Sequence, residues 1–293
     1  MKLLRKFATV IAVAMGMVTV QALPASAQTL TQYVNPYIGT GGHGHVFLGA
    51  NVPFGFVQLG PTEPARGWDW CSGYHYSDNV VRGFGHLHLS GTGIGDLGDI
   101  ALLPVADAKQ STVILKHSNE TARPGYYALK LDKPEVNVEL TATKRAGFHR
   151  YTFGKGQKAL FRLDLQQGIG WDKLNRCQLR QITPTMITGY RTSIGWAKNQ
   201  QVYFTAVFSA PVKITNSNDT IALLEVANAD KPVLVKVGLS AVNEGNAALN
   251  LMTEMPGWDF DAVATAASKE WDKELGRVRI ETADATDRTI FYT

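Results

Sequence analysis

The feature that most constrains the fold is a succession of short β-rich runs that begins near Ser111. Val136 to Leu140 alternates strictly between apolar and polar side chains, which is the period of a strand with one buried face. Four further runs have strand length and end at turn-forming residues: Lys158 to Leu165, Gln201 to Ser209, Thr220 to Val226 and Pro232 to Leu239. Because no helical pattern separates them, the sequence predicts a mainly β fold, an antiparallel β-sandwich.

Near the end of the chain the apolar period changes. After Pro256 and Gly257, side chains spaced by three and four predict an amphipathic helix: Phe260, Val263, Ala267, Trp271 and Leu275. A strand-like Val278 to Glu281 follows, and Asp284 can cap another helix, which ends at Thr293. We therefore predict a sandwich domain over 28–256, a linker helix and short strand over 257–283, and the start of a truncated helical domain over 284–293.

The N-terminus has the pattern of a secretory signal. Three basic residues precede the apolar run Phe7 to Leu23, and Ala25-Ser26-Ala27 predicts cleavage after residue 27. Removing those three from the 29 basic residues leaves 26 against 25 acidic ones, so neither nucleic acid nor an anionic membrane is indicated as a partner. We expect a secreted or periplasmic protein, in which Cys71 and Cys177 either pair or remain as two buried thiols.

Glycine, histidine and aromatic residues dominate Tyr33 to Pro104, which we expect to form ordered loops. The first block, GTGGHGHVFLGA, lacks the Lys-Ser/Thr end of a phosphate-binding loop. Its His43 and His45 would share one face of an extended segment, as would His86 and His88 further along, so four imidazoles could form a transition-metal site. The alternative, which the lack of a well-spaced carboxylate or cysteine favours, is histidines that hydrogen-bond within the loops or contact a ligand without metal.

Two further blocks carry aromatic and acidic residues. In GWDWCSGYHY, Trp68 and Trp70 flank Asp69, an arrangement that suits a sugar stacked on indole, although two residues in a strand could equally both face the core. In GFGHLHLSGTGIGDLGDI, Asp96 and Asp99 could act as general acid and base, but their glycine neighbours favour carboxylates that cap the backbone.

These blocks, together with KVGLSAVNEGNAALNLMTEMPGWDFD, WDKELGRVRIE and the closing FYT, resemble the N-terminal part of glycoside hydrolase family 92, the calcium-dependent exo-α-mannosidases. The resemblance covers Tyr33 to Thr293. It implies a β-sandwich followed by an (α/α) barrel that carries the catalytic acids and most calcium ligands. We therefore expect no catalytic residue and no metal ligand in this chain, and calcium as cofactor only of the full-length enzyme.

The resemblance also implies that sandwich loops contribute to a mannose site. The residues expected there are Trp68, Asp69 and Trp70, followed by His43, the backbone of Gly44, and His45. The chain is thus predicted to be the carbohydrate-binding N-terminal domain of a secreted α-mannosidase that acts on glycoprotein glycans, inactive by itself and partnered by a catalytic domain. The alternatives are a free-standing carbohydrate-binding module, which would bury Trp271 and Leu275, and a metal hydrolase built on the histidine pairs.

Overall fold

The computed structural model describes residues 29–218, 220–227 and 231–293, so the predicted signal segment 1–27 lies outside the described residues. The strands are β1 (Gly60–Thr62), β2 (Val80–Val81), β3 (Gly83–Gly85), β4 (Ala101–Pro104), β5 (Val113–Ile114), β6 (Glu120–Arg123), β7 (Tyr126–Asp132), β8 (Glu135–Ala142), β9 (Ala146–Phe153), β10 (Ala159–Asp164), β11 (Lys173–Thr183), β12 (Met186–Ile194), β13 (Gln200–Phe208), β14 (Val212–Ser217), β15 (Ile221–Val226) and β16 (Val233–Ser240). The helices are α1 (Glu244–Glu254), α2 (Phe260–Leu275) and α3 (Ala285–Tyr292), and 3₁₀ turns lie at Leu30–Tyr33, Trp68–Trp70 and His117–Asn119.

The strands form two large antiparallel sheets. One has eight strands in the order β11-β12-β13-β16-β9-β8-β7-β6, and the other has six in the order β1-β3-β4-β10-β15-β14. A small third sheet pairs β2 with β5. Each of the five runs singled out in the sequence is a strand, and the predicted antiparallel sandwich is confirmed.

The two large sheets pack face to face. Buried Leu, Val, Phe and Tyr side chains from both sheets belong to one continuous core cluster. Across the interface, the ring of Tyr151 on β9 meets that of Phe161 on β10 with centroids 4.8 Å apart. Burying each such aromatic side chain contributes roughly 1.5–3 kcal/mol, so this interface is the main source of stability.

The glycine-rich zone between residues 33 and 104 is mostly irregular, as predicted, but it is also part of the sandwich. Three of its short strands, β1, β3 and β4, make up half of the six-stranded sheet. All their residues are buried. The loops between these strands are therefore attached at both ends to a rigid layer, which is the kind of scaffold that positions binding side chains.

Helix α1 was not predicted from the sequence. It packs on β16 and β13 and is capped by Asn243, whose side chain accepts a hydrogen bond from the Asn246 amide at 2.7 Å. Gly238 on β16 makes this packing possible, because a Cβ atom there would lie 2.3 Å from the carbonyl oxygen of Ala247. The helix thereby covers the outer face of the eight-stranded sheet, where Leu251 joins a second apolar cluster.

The predicted amphipathic helix is confirmed as α2, which begins after Asp259, a residue that caps the Ala262 amide at 2.9 Å. The predicted short strand over 278–281 is wrong. This segment is irregular, and the Ile280 amide donates to the Tyr292 hydroxyl at 3.4 Å instead of to a strand. Asp284 caps α3 as expected, accepting from the Thr286 amide.

Three further observations bear on the sequence predictions. Cys71 is buried and Cys177 is part-buried on β11, and the structure has no disulfide between them. Trp271 and Leu275 remain part-exposed, where they line an apolar cavity of about 490 Å³. Over the described ranges, no helix has the length and apolar character that crossing a membrane requires.

Candidate functional site

The site is built on a tight glycine turn before β1. The Gly44 amide donates to the carbonyl of Gly41 at 3.0 Å, and the Val46 amide donates to that of Gly39 at 3.3 Å. A Cβ atom at Gly44 would lie 2.1 Å from the carbonyl oxygen of Gly39, so only glycine fits the turn. The turn directs the flanking His43 and His45 toward one point.

That point is the carboxylate of Asp69. Its Oδ1 accepts from His43 Nδ1 at 3.0 Å and from His45 Nε2 at 3.2 Å. The His43 side chain is 85% exposed, whereas that of His45 is 11% exposed. The hydrogen bond from His43, reinforced by the one from His45, outweighs partial desolvation and lowers the pKa of Asp69, so its carboxyl group is ionised at neutral pH.

The two tryptophans beside Asp69 diverge. The interpretation that they share a strand face is wrong, because residues 68–70 form a 3₁₀ turn. Trp68 is 60% exposed, its indole N–H donates to the Gly93 carbonyl at 2.6 Å, and its ring meets that of His45 edge-on at 4.3 Å. Trp70 instead stacks on His75, with ring centroids 4.4 Å apart.

Trp70 belongs to a polar layer that supports the glycine turn. Its indole N–H donates to Asp78 at 3.1 Å, and His75 Nε2 donates to the carbonyl of Gly42 at 3.0 Å. Burial raises the pKa of Asp78, but hydrogen bonds from Arg66, from a neighbouring amide and from Trp70 outweigh burial and keep it below its ordinary value. Of the six predicted residues, His43, His45, Trp68 and Asp69 therefore meet at one surface, Gly44 shapes the turn, and Trp70 lies in the layer behind.

The interpretation of Asp96 and Asp99 as a general acid and base is wrong. Asp99 is buried and accepts from Arg191 at 2.6 Å; burial raises its pKa to about 6, although Arg191 opposes the rise. Asp96 is also buried and caps the amides of Leu97 at 3.0 Å and Ala197 at 3.3 Å, which confirms backbone capping for this residue. Both carboxylates therefore hold the fold together instead of facing an open surface.

The two histidine pairs do not form one metal site. His86 and His88 are buried, and burial lowers the pKa of each to about 4. His86 meets the carbonyl of Ile100 at 2.6 Å and His149 Nε2 at 2.8 Å. Across the described ranges, no group of three or more His, Cys, Asp or Glu side chains could hold a metal ion. Asp69 with two imidazoles does not fit calcium either, which takes six to eight oxygen ligands.

Sequence reasoning missed two further exposed tryptophans near the site. Trp171 is 54% exposed and shares a small cleft of about 30 Å³ with Trp68, while Trp196 is 64% exposed. Each follows an Ile-Gly pair, as Ile169-Gly170-Trp171 and Ile194-Gly195-Trp196. This repeated tripeptide is a signal that could have found them.

Comparison with known proteins identifies the fold family. The model of the glycosyl hydrolase family 92 N-terminal domain matches residues 33–240. The chain belongs to glycosyl hydrolase family 92. The model of the family 92 catalytic domain matches residues 246–293. The two matches therefore divide the chain between the end of β16 and the first turn of α1, ahead of the boundary at 256–257 expected from the sequence.

Solved family 92 structures are similar over nearly the whole chain. A family 92 α-mannosidase from Bacteroides thetaiotaomicron superposes with a TM-score of 0.82 at 33% identity, over 92% of this chain and 40% of that one. The same enzyme in complex with mannoimidazole gives 0.81 at 33% identity, over 90% and 39%. A curated relative from Arthroderma benhamiae, described as an uncharacterized secreted glycosidase, is 25% identical over 304 aligned positions, covering 87% of this family 92 chain and 39% of that protein. The chain thus spans about two fifths of the length of these relatives.

Proposed function

We propose that this chain forms the sandwich side of the mannose site of a secreted α-mannosidase acting on mannose-containing glycans. The observation that carries the proposal is the meeting of Trp68, Asp69, His43 and His45 at one exposed surface. Two similarities support it: a 33% identical relative is an α-mannosidase that has been seen with mannoimidazole, and another relative is described as secreted. The predicted signal over residues 1–27 agrees with secretion.

The four side chains offer the contacts that a sugar needs. Both imidazoles bond to Oδ1 of Asp69, so its Oδ2 is available to accept from a sugar hydroxyl. The exposed His43 ring can donate to or accept from a second hydroxyl. Trp68 is held at its N–H end by Gly93, which leaves the indole face for the C–H face of a pyranose ring.

The same geometry supports binding and not hydrolysis. An inverting glycosidase uses two carboxyl groups roughly 6.5–9.5 Å apart, one of them protonated to act as general acid. The lowered pKa of Asp69 makes it a poor proton donor, and Asp96 and Asp99 are buried. We therefore expect this chain alone to be inactive. Since the donor set does not suit calcium, sugar binding here should not require calcium, and any calcium of the complete enzyme would be held mainly by residues outside this chain.

The experiment is a calorimetric titration of the protein with mannose and with galactose. We expect preferential binding of mannose, unchanged by a chelator. Because Asp69 provides a charged hydrogen-bond acceptor, Asp69→Ala should weaken binding by about tenfold or more, and Trp68→Ala should weaken it comparably. Phe54→Ala, at an exposed aromatic residue outside the cluster, is the matched control. Binding without preference for mannose, or variants that bind like the wild type, would contradict the proposal, as would calcium-dependent release of mannose from an α-mannoside.

The structure does not favour the two alternatives. A free-standing module should bury Trp271 and Leu275 against its own sandwich and leave no exposed apolar patch. The Trp271 indole N–H does donate to the Asn51 carbonyl at 2.8 Å, but both side chains remain part-exposed along the apolar cavity. A metal hydrolase should bring His86 and His88 to His43 and His45, whereas the first two lie in the interior and bond to other partners.

A further inference from the structure

The two Ile-Gly-Trp tripeptides lie at the same end of one β-hairpin. Strands β11 and β12 are antiparallel neighbours, and Lys173 is directly opposite Ile194. Trp171 precedes Lys173 by two residues, and Trp196 follows Ile194 by two. Both tryptophans therefore lie just beyond the same end of the paired strands, on adjacent segments of chain.

Both segments are attached to the loop that also holds Trp68. The Trp171 amide donates to the Gly95 carbonyl at 3.4 Å, and the Ala197 amide donates to Asp96 Oδ2 at 3.3 Å. The Trp68 indole bonds to Gly93 of the same loop. Because 93 and 96 are three residues apart, the attachment points span at most about 11 Å. Trp68 and the segments that carry Trp171 and Trp196 are thus all attached to one short loop.

Buried ion pairs hold the Trp171 segment in place. The Arg191 guanidinium, which is fully buried, donates to Asp172 at 2.7 Å, to Asp99 at 2.6 Å and to the carbonyl of Leu165 at 2.9 Å. Arg82 donates to the carbonyl of Gly168 in the same segment. An indole exposed on a segment fixed in this way loses little conformational entropy when it binds a ligand.

We propose that Trp68, Trp171 and Trp196 form a tryptophan row that binds further sugar units of a neutral oligosaccharide, next to the mannose contacted by Asp69. This inference rests on the proposed function, because the row begins at Trp68 and continues from that site. Trp68 and Trp171 line one small cleft, together with Trp70, so the first two indoles of the row are neighbours.

The surroundings of the row favour carbohydrate as its ligand. Exposed polar residues follow the second and third indoles closely in the sequence, namely Lys173, Asn175 and Lys198. Indole faces suit the C–H faces of successive pyranose rings, while ammonium and amide groups bond to their hydroxyls. A neutral oligosaccharide presents both surfaces along its length.

The test compares the affinity of the protein for mannose with its affinity for an α-linked mannotriose, by calorimetry. The wild type should bind the trisaccharide more tightly. Trp171→Ala and Trp196→Ala should each weaken trisaccharide binding by about three- to tenfold and leave mannose binding unchanged. The matched variants Trp171→Phe and Trp196→Phe keep an aromatic ring, so they should still bind the trisaccharide more tightly than mannose. Phe54→Ala serves as the surface control, and circular dichroism verifies that each variant is folded.

The outcomes separate this inference from the proposed function. If mannose binds but the trisaccharide binds no more tightly, or if the tryptophan variants behave like Phe54→Ala, the tryptophan row is wrong and the proposed function stands. If mannose is not bound but another neutral oligosaccharide is, and the two alanine variants weaken it, the row stands and the proposed function fails. If neither mannose nor any neutral oligosaccharide binds, both are wrong.

Discussion

The glycine-rich zone contains the same His-x-His pattern twice, with opposite results. His43 and His45 share the carboxylate of Asp69 at the surface. His86 and His88 are completely buried, and His86 contacts His149 on β9 of the opposite sheet. The difference teaches that spacing determines which side chains can share a face, whereas the adjoining element determines what that face meets. The first pair flanks a glycine turn, and the second directly follows β3.

The sharpest test of this contrast is to remove one imidazole from each pair. His86→Ala should lower the free energy of unfolding by about 3 kcal/mol, because it leaves a cavity and removes the partner of both His149 and the Ile100 carbonyl. His43→Ala should change it by less than about 0.5 kcal/mol, as expected of an exposed side chain. Urea unfolding measures both. Equal losses would show that the two pairs do not differ as described.

A second test uses pH. Burial lowers the pKa of His88 from 6.5 to about 4, so between these values the unfolded chain binds a proton that the folded chain does not, and stability falls as pH falls. Burial also raises the pKa of Glu63 to about 9 and that of Asp99 to about 6, which has the opposite sign. The effect must therefore be measured as a difference between two proteins.

The variant for this measurement is His88→Gln. The stability advantage of the wild type over His88→Gln should shrink by about 2 kcal/mol between pH 7 and pH 5, from the linkage of one buried imidazole. In the control variant Phe54→Ala, which changes an exposed side chain that carries no titratable group, the difference from the wild type should stay nearly constant over this range. An advantage for His88 that is independent of pH would mean that it is not held neutral by burial.

The smallest expected effect distinguishes the two members of the exposed pair. His45 is mostly covered and its ring packs nearly perpendicular to that of Trp68, whereas His43 is open to solvent. His45→Ala should therefore weaken mannose binding by about fivefold, through loss of the support for both Asp69 and Trp68, and His43→Ala by about threefold or less. Titration calorimetry can resolve this difference, and the reverse order would show that His43 is the more important contact.

Local pattern predicted five of the strands and helix α2 correctly, because the apolar period of each of these elements matches the face that it buries in the core. Helix α1 was not predicted because only two of its residues, Ala247 and Leu251, are buried, so its apolar face is too narrow to show a clear helical period in the sequence. The strand predicted at 278–281 failed for the opposite reason. Its apolar and polar side chains alternate with the period of a strand, but no other strand in the described part of the chain pairs with it. Periodicity predicts an element only where a partner surface exists.

The candidate site was predictable by residue type but not by contact. Asp69 lies 26 residues from His43, and nothing in either block indicates that they meet. The pairing of Asp99 with Arg191 joins residues 92 apart, so the carboxylate that looked catalytic could be recognised as structural only from the fold. The diverging directions of Trp68 and Trp70 likewise depend on a single 3₁₀ turn.

Strand β11 has a consequence for the behaviour of the protein in concentrated solution. It is a long strand at the open edge of the eight-stranded sheet, and such an edge is a template on which a second molecule could add its own strand. Register shifts between Leu174 and Arg176 and again between Gln181 and Thr183 interrupt the ladder. The strand also carries exposed cationic residues at Lys173, Arg176 and Arg180, the last of which pairs with Glu244 on α1. These interruptions and charges oppose edge-to-edge aggregation of the protein at high concentration.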